Sequence, residues 1–262
     1  MKIVSKLKYC ALAAALSLPG VSQAMVIGHY DSSVESYGFA GSYISGARQY
    51  LLNAGHTMVS TPVMNAGFLS GVDAVYVGLL SSTPSAAEIT ALQNFVNVQG
   101  GFLFIQTDWA SAPWTAPANA ILSNWGIAHG GTYSNDSGHV TVGTSDWVTT
   151  PNMVSGFIGA AHSVVISAPN DFEVLGQDDA GRTILGVFDA GGGRSSDVLI
   201  ATDINFWADG YGWSNASNRA LWQNIWQSVD TQTGGGGSVP EPATLALLGL
   251  GLAGLGVYRR KA

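Results

Sequence analysis

The chain contains a single cysteine among its 262 residues, and this residue, Cys10, lies close to the amino terminus. The sequence beyond it therefore has no residue for a disulfide, a thiol nucleophile or a thiolate metal ligand. Charge is scarce as well, because Asp, Glu, Lys and Arg together make up only 10% of the residues. The stability of the folded protein must therefore come mainly from packing, and cysteine-dependent chemistry is excluded.

Basic residues are the rarest charged type between residues 25 and 232. That segment holds sixteen acidic residues and four basic ones, which gives it a formal charge of −12. A field of this sign repels phosphate backbones and anionic lipid surfaces. We therefore expect no nucleic-acid partner.

Motifs for common cofactors and metal ions are missing from the sequence. No glycine-rich dinucleotide fingerprint follows the first predicted strand, and Gly191–Gly193 leads into another strand and not into a phosphate-binding helix. No His-Glu-x-x-His motif occurs, and the histidines from His56 to His162 lack metal-ligand spacing. The sequence thus predicts neither a cofactor nor a resident metal ion.

The amino-terminal segment has the pattern of a secretory signal peptide. Lys2, Lys6 and Lys8 form a positive region, Cys10–Leu18 is apolar, and Ser22-Gln23-Ala24 supplies small residues for cleavage. We predict that residues 1–24 are a signal peptide that is removed after Ala24. The protein is therefore expected to leave the cytoplasm.

A second apolar segment lies near the carboxyl terminus. Residues 243–258 carry no charge, approach the ~20 residues that a helix needs to cross a bilayer, and precede Arg259-Arg260-Lys261. Glycine-rich residues 233–238 read as a flexible linker. We predict a transmembrane helix over 243–258. The alternative, a buried core helix, fits poorly with a glycine linker before it and a basic cluster after it.

The carboxyl-terminal motif resembles a known family. Val239-Pro240-Glu241-Pro242, the Gly- and Leu-rich span and the final basic residues, with Arg259 and Arg260, are similar to the PEP-CTERM sorting signal of Gram-negative bacteria, here over residues 239–262. The resemblance implies an exosortase as partner, with Pro240, Glu241 and Pro242 as its recognition motif. It also implies a membrane-anchored precursor that moves to the cell surface or to a biofilm matrix of extracellular polysaccharide.

Residues 25–232 are predicted to form one α/β domain. Strands are expected at Met25–Gly28, His56–Thr61 and Asp73–Leu80, with a helix over Glu35–Asn53 between the first two. Ser85 and Glu88 have the spacing of a capping box, which marks the start of the next helix. That helix ends at Gly100-Gly101, and Phe102–Ile105 follows as a fully buried strand.

The second half of this domain is predicted to add antiparallel strands. A hairpin joins Phe172–Leu175 to Thr183–Phe188, Asp197–Thr202 returns to the core as a strand, and Ser217–Val229 forms the closing helix. This order predicts a three-layer architecture, in which a mostly parallel sheet with an antiparallel extension is flanked by helices.

The order of elements resembles the class I glutamine amidotransferase-like and flavodoxin-like folds, best over residues 26–109. Active amidotransferases carry a catalytic cysteine at the turn after the strand that corresponds to Phe102–Ile105. This chain has Gln106-Thr107-Asp108-Trp109 there. The resemblance therefore implies the fold, and no catalytic residue is carried over from it.

Polar and aromatic residues follow three of the predicted parallel strands. Ligands of open α/β sheets bind beyond the carboxyl ends of the strands. Carboxylates there can bind a divalent cation or act as acid and base in glycoside cleavage, and tryptophans there, with Trp114 and Trp213 nearby, can stack on sugar rings. The alternative is that the aspartates cap turns and the tryptophans belong to the core. The candidate ligand site comprises His29, Asp31, Asp108, Trp109, Asp203, Asn205 and Trp207.

Two functions remain open on the sequence alone. The first is a non-catalytic binding or structural module of the envelope or extracellular matrix, with polysaccharide or another protein as its ligand. The second is an extracytoplasmic hydrolase that acts on polysaccharide through Asp31, Asp108 and Asp203. The missing cysteine and the lack of a recognised catalytic motif favour the first.

Overall fold

The computed structural model describes residues 24–109, 113–134, 137–139 and 144–232. The predicted signal peptide, apart from Ala24, lies outside these residues, as do the predicted linker, transmembrane helix and sorting motif. Within the described ranges, no helix combines the length and the apolar character that a membrane span requires.

The described chain forms a nine-stranded sheet with helices on both faces. The strand order is β3-β1-β4-β6-β13-β12-β11-β8-β9, and two further pairs, β2–β5 and β7–β10, are antiparallel. The strands are β1 Val26–Tyr30, β2 Glu35–Tyr37, β3 Thr57–Thr61, β4 Ala74–Val77, β5 Leu79–Leu80, β6 Phe102–Gln106, β7 Ala128–Ser134, β8 Ser137–His139, β9 Phe157–Ile158, β10 Ala161–Ser167, β11 Phe172–Asp178, β12 Thr183–Phe188 and β13 Val198–Ala201. The helices are α1 Ser45–Asn53, α2 Ala66–Leu69, α3 Ala86–Asn94, α4 Thr115–Leu122, α5 Asp146–Thr149 and α6 Ala216–Gln232.

The first five strands in this order are parallel, and the rest of the sheet is antiparallel. Strand β1 pairs in parallel with β3 and β4, and β6 pairs in parallel with β4 and β13. From β13 onward each neighbour is antiparallel, and β11–β12 is the predicted hairpin around Gly181, whose φ is +75°. The predicted α/β sheet with an antiparallel extension is therefore confirmed.

Strand β6 shows why the sheet is covered on both faces. All five of its residues are buried, as a continuous apolar run predicts for a central parallel strand. Phe104 packs into one core cluster with Leu51 of α1 and Trp222 of α6. Leu103 and Ile105 point to the opposite face and join a cluster with helices α2, α3 and α4. Side-chain alternation along the strand thus serves two cores at once.

Helix α3 begins and ends where the sequence indicates. The Ser85 hydroxyl accepts the Glu88 N–H, and the Glu88 carboxylate accepts the Ser85 N–H, so the predicted capping box is present. The helix continues into a wider turn over Phe95–Gln99, and Gly100 ends it with a left-handed φ of 76°. Only glycine adopts this conformation without strain, which explains the abrupt turn into β6.

The predicted helix over Glu35–Asn53 is wrong in its first ten residues. Glu35–Tyr37 forms β2 and pairs with β5, and helix α1 begins only at Ser45. Glycine is a poor helix former, and Gly38 and Gly41 lie in this stretch. A Cβ atom on Gly38 would lie 2.0 Å from Cδ of the buried Glu35 side chain. The segment between β2 and α1 is consequently a loop, and it reaches the carboxyl edge of the sheet.

Candidate functional site

Strand β6 carries its last side chains to the carboxyl edge of the sheet. Gln106, at its end, accepts a hydrogen bond from the Tyr76 hydroxyl at 2.5 Å and donates one to the Asp203 carbonyl at 2.6 Å. This buried amide joins the end of β6 to the segment that follows β13. Asp108 comes two residues later, with 6% of its surface exposed.

A cleft of about 390 Å³ opens above the ends of β6 and β13. It combines the turn after β6, the residue before α4, the end of β2 with the loop that follows it, the residues around the start of β10, and the turn after β13. Its lining residues are Tyr37, Tyr43, Asp108, Trp109, Trp114, Ala160, Ala161, Ile204 and Asn205. Three of the seven predicted site residues therefore line one cleft: Asp108, Trp109 and Asn205.

Four aromatic side chains form much of this surface. The Tyr37 ring lies edge-on to Tyr43, with centroids 4.9 Å apart, and edge-on to Trp114, with centroids 5.7 Å apart. Trp109 is 43% exposed, and Tyr37 and Tyr43 are each 36% exposed. Exposed tryptophan and tyrosine rings at a concave surface are typical of ligand sites, because burial on binding removes apolar area from water.

The charge of Asp203 influences the carboxyl group of Asp108. Burial and the negative charge of Asp203 together raise the pKa of Asp108 to about 7, while the N–H of Trp109 at 2.8 Å opposes the change. Burial likewise raises the pKa of Asp203 to about 6. Asp108 therefore titrates near neutral pH inside the cleft, unlike an exposed aspartate.

Asp203 is fully buried, and neighbouring groups saturate its carboxylate. Oδ2 accepts the N–H of Ala160 at 2.5 Å, and Oδ1 accepts the backbone and side-chain N–H groups of Asn205 at 2.7 and 2.8 Å. The Asn205 side chain in turn accepts the Tyr43 hydroxyl at 2.5 Å. Asp203 thus caps the short helical turn Ile204–Phe206. It does not line the cleft itself, but it holds Asn205 in place, and Asn205 in turn binds Tyr43.

The residues at the end of β1 lie outside the cleft lining. His29 is buried, donates from Nδ1 to the Tyr30 carbonyl at 2.7 Å, and packs edge-on against Phe39. Burial lowers its pKa, which favours the neutral ring. Asp31 accepts the N–H and O–H of Ser33 in its own turn, and these bonds lower its pKa. Strand β4 lies between β1 and β6 in the sheet, and neither His29 nor Asp31 lines the cleft with Asp108.

Trp207 belongs to the core and not to the cleft surface. It is fully buried, with its ring centroid 4.8 Å from that of Trp222 and 6.4 Å from that of Phe104. Trp213 packs against Trp222 and does not line the cleft either. The core is short of charge and rich in aromatic rings, so packing determines where these two tryptophans lie.

Tyr37 and Tyr43 are the site residues that sequence reasoning missed. The predicted helix over Glu35–Asn53 includes both, but Tyr37 ends β2 and Tyr43 lies in the loop before α1. The Tyr43 hydroxyl donates to Asn205, which lies 162 positions away in the sequence. Gly38, Gly41 and Ser42 form a turn-type cluster that could have indicated the loop. No local pattern indicates that this loop reaches β13.

The described residues offer no metal centre. Within them, no group of three or more His, Cys, Asp or Glu side chains is arranged to hold a metal ion. Of the three carboxylates in the predicted site, only Asp108 and Asp203 are found next to this cleft. The Asp203 carboxylate already accepts three N–H groups.

Comparison with solved structures defines the class of fold. The chain resembles the mmIFT52 N-terminal domain, with a TM-score of 0.66 and 12% identity over 78% of this chain and 97% of that one. It also resembles a ThuA-like protein from Bacteroides uniformis ATCC 8492, with a TM-score of 0.52 and 12% identity over 78% and 90% of the two chains. Identities this low show the fold alone, and the ThuA-like neighbour agrees with the amidotransferase-like resemblance.

The carboxyl-terminal segment is identified by its sequence. The profile of the PEP-CTERM protein-sorting motif matches residues 238–261. The chain therefore carries a PEP-CTERM sorting signal on the carboxyl-terminal side of a domain with an amidotransferase-like α/β fold. No curated protein matches the chain.

Proposed function

We propose that this chain is an exported, exosortase-processed protein of the envelope or extracellular matrix, and that its α/β domain is a non-catalytic module that binds polysaccharide. The sorting motif at 238–261 supports the export route, with Pro240, Glu241 and Pro242 as the exosortase recognition motif and Arg259 and Arg260 on the cytoplasmic side. The route runs from a membrane-anchored precursor to the cell surface or matrix.

The aromatic cleft is the observation that carries the binding function. Trp109, Trp114, Tyr37 and Tyr43 surround a space of about 390 Å³, large enough for a sugar ring and parts of its neighbours. Apolar faces of sugars pack on aromatic rings, while Asp108 and Asn205 supply polar groups to the lining of the same cleft. An aromatic surface with a few polar groups suits a glycan.

The carboxylate arrangement favours binding over hydrolysis. Glycoside hydrolysis commonly needs two carboxyl groups that flank the scissile bond. Only Asp108 of the three proposed carboxylates lines the cleft, because Asp203 is saturated behind it and Asp31 is held in its own turn. Hydrolysis of polysaccharide remains a second candidate, since a carboxyl with a pKa of about 7 suits a general acid.

Retention on polysaccharide tests the binding proposal. The full chain, purified in detergent, should be retained by extracellular polysaccharide from the producing cells. Trp109→Ala and Trp114→Ala should each weaken the affinity at least about tenfold, a loss of ~1.4 kcal/mol that buried aromatic anchors commonly exceed.

Met153→Ala provides the matched control. Met153 is 71% exposed and does not line the cleft, so its removal should leave retention unchanged. Equal retention of all three variants and the unaltered chain would refute binding in the cleft. Release of new reducing ends by the chain, abolished by Asp108→Asn, would support the hydrolase instead.

A further inference from the structure

The residues that line the cleft offer no positive charge to a ligand. None of the residues that line the cleft is basic. The four basic residues between 25 and 232 are engaged with other groups: backbone carbonyl oxygens in two cases, and aspartates together with aromatic rings in the other two. They are Arg48, Arg219, Arg182 and Arg194.

Carboxyl groups, in contrast, lie in the cleft lining and directly behind it. Asp108 lines it directly, and the Asp203 carboxylate lies close enough behind to raise the pKa of Asp108. Burial raises the pKa of the Tyr43 hydroxyl, and the charges of Asp108 and Asp203 add to this rise. With a formal charge of −12 over residues 25–232, the whole domain adds to this field.

The aromatic rings have the same electrostatic preference as the carboxylates. An aromatic face carries negative potential and attracts a cation within about 6 Å of its centre. Tyr37 stands nearly perpendicular to Trp114, at an interplanar angle of 89°, and lies at 67° to Tyr43. The rings therefore form a corner around the cleft rather than a flat platform. Aromatic corners next to a carboxylate suit ammonium groups.

We propose that the cleft selects glycans that carry a free ammonium group, that is, amino sugars without an N-acetyl group. The ammonium group lies beside Asp108 and within the aromatic corner of Tyr37, Tyr43 and Trp114, and the sugar ring packs on Trp109. This assignment rests on the proposed function, because it names the glycan class that the same cleft binds.

A pair of glycans that differ in N-acetylation, and therefore in charge, tests the selection. β-1,4-linked glucosamine oligomers and the matching N-acetylglucosamine oligomers are titrated into the full chain at pH 7 and low salt. We expect the glucosamine oligomer to bind at least about tenfold more tightly, because the acetyl group removes the cation. High salt should reduce this ratio, since screening weakens the attraction.

Asp108→Asn should lower the ratio of the two affinities, with the remaining preference supplied by the aromatic rings. An unchanged unfolding midpoint verifies that the variant is folded. Equal affinities for the unaltered chain, or a preference for the acetylated oligomer, would overturn the ammonium assignment and leave the proposed glycan binding intact. No binding of either oligomer or of the producing cells' polysaccharide would overturn both. Tighter binding of choline than of the glucosamine oligomer would overturn the assignment to a glycan.

Discussion

At the scale of single residues, Glu35 is a carboxyl group in an environment that glutamate rarely occupies. It is 3% exposed, and its Oε1 accepts the N–H of Gly78 at 2.5 Å. Burial raises its pKa to about 8, although the N–H groups of Gly78, Ala40 and Phe39 oppose the change. The side chain thereby joins β2, which ends at Tyr37, and the loop after it to the end of β4, in a form that is protonated at neutral pH.

Replacement of Glu35 by glutamine should change how stability depends on pH. The unfolded chain releases this proton near pH 4.5 and the folded chain near pH 8, so the stability of the unaltered protein falls as pH rises through that window. Glu35→Gln cannot ionise. Its free energy of unfolding relative to the unaltered chain should therefore rise by roughly a few kcal/mol between pH 5 and pH 8. Urea unfolding at both values measures this change, and a difference that is independent of pH would contradict the protonated state.

At the scale of elements, regular segments could be predicted from local patterns. The Ser85–Glu88 spacing gave the start of α3, and the apolar run gave β6 as a buried central strand. The stretch from residue 35 to 44 could not be predicted, because its pairing with β5 and the burial of Glu35 depend on distant residues. Tertiary context overrode the helical spacing of Ala40, Ile44 and Ala47.

The candidate site could be predicted only in part for the same reason. Residues that directly follow β6 and β13 could be placed at one edge, since parallel strands share their carboxyl ends. The cleft also needs the loop before α1 and the segment before β10, whose positions no local pattern gives. Trp207 and Trp109 illustrate the limit, because both follow strands, yet one is fully buried and the other is 43% exposed.

At the scale of the whole molecule, an acidic domain that contains no cysteine precedes a sorting signal. We expect the low density of positive charge to repel phosphate-rich partners and to leave the cleft free to attract cations. The proposed export route brings this cleft to the outside of the cell, where it would meet the proposed glycan ligand.

The sorting signal gives a prediction for the producing cells. Glu241→Ala removes the one charge in the Pro-Glu-Pro motif, so the full-length chain should accumulate uncleaved in the inner membrane. Immunoblots of fractionated cells measure this, and Asp179→Ala, at an exposed position in the β11–β12 turn, is the matched control and should be processed normally. Normal processing of Glu241→Ala would refute recognition through this motif.

The most direct test of the central claim is a crystal structure of the chain with a bound glucosamine oligomer. The account predicts a sugar ring packed at about 4 Å on Trp109, with its ammonium group near the Asp108 carboxylate and the rings of Tyr37 and Trp114. An oligomer bound elsewhere on the domain, with the cleft empty, would contradict it.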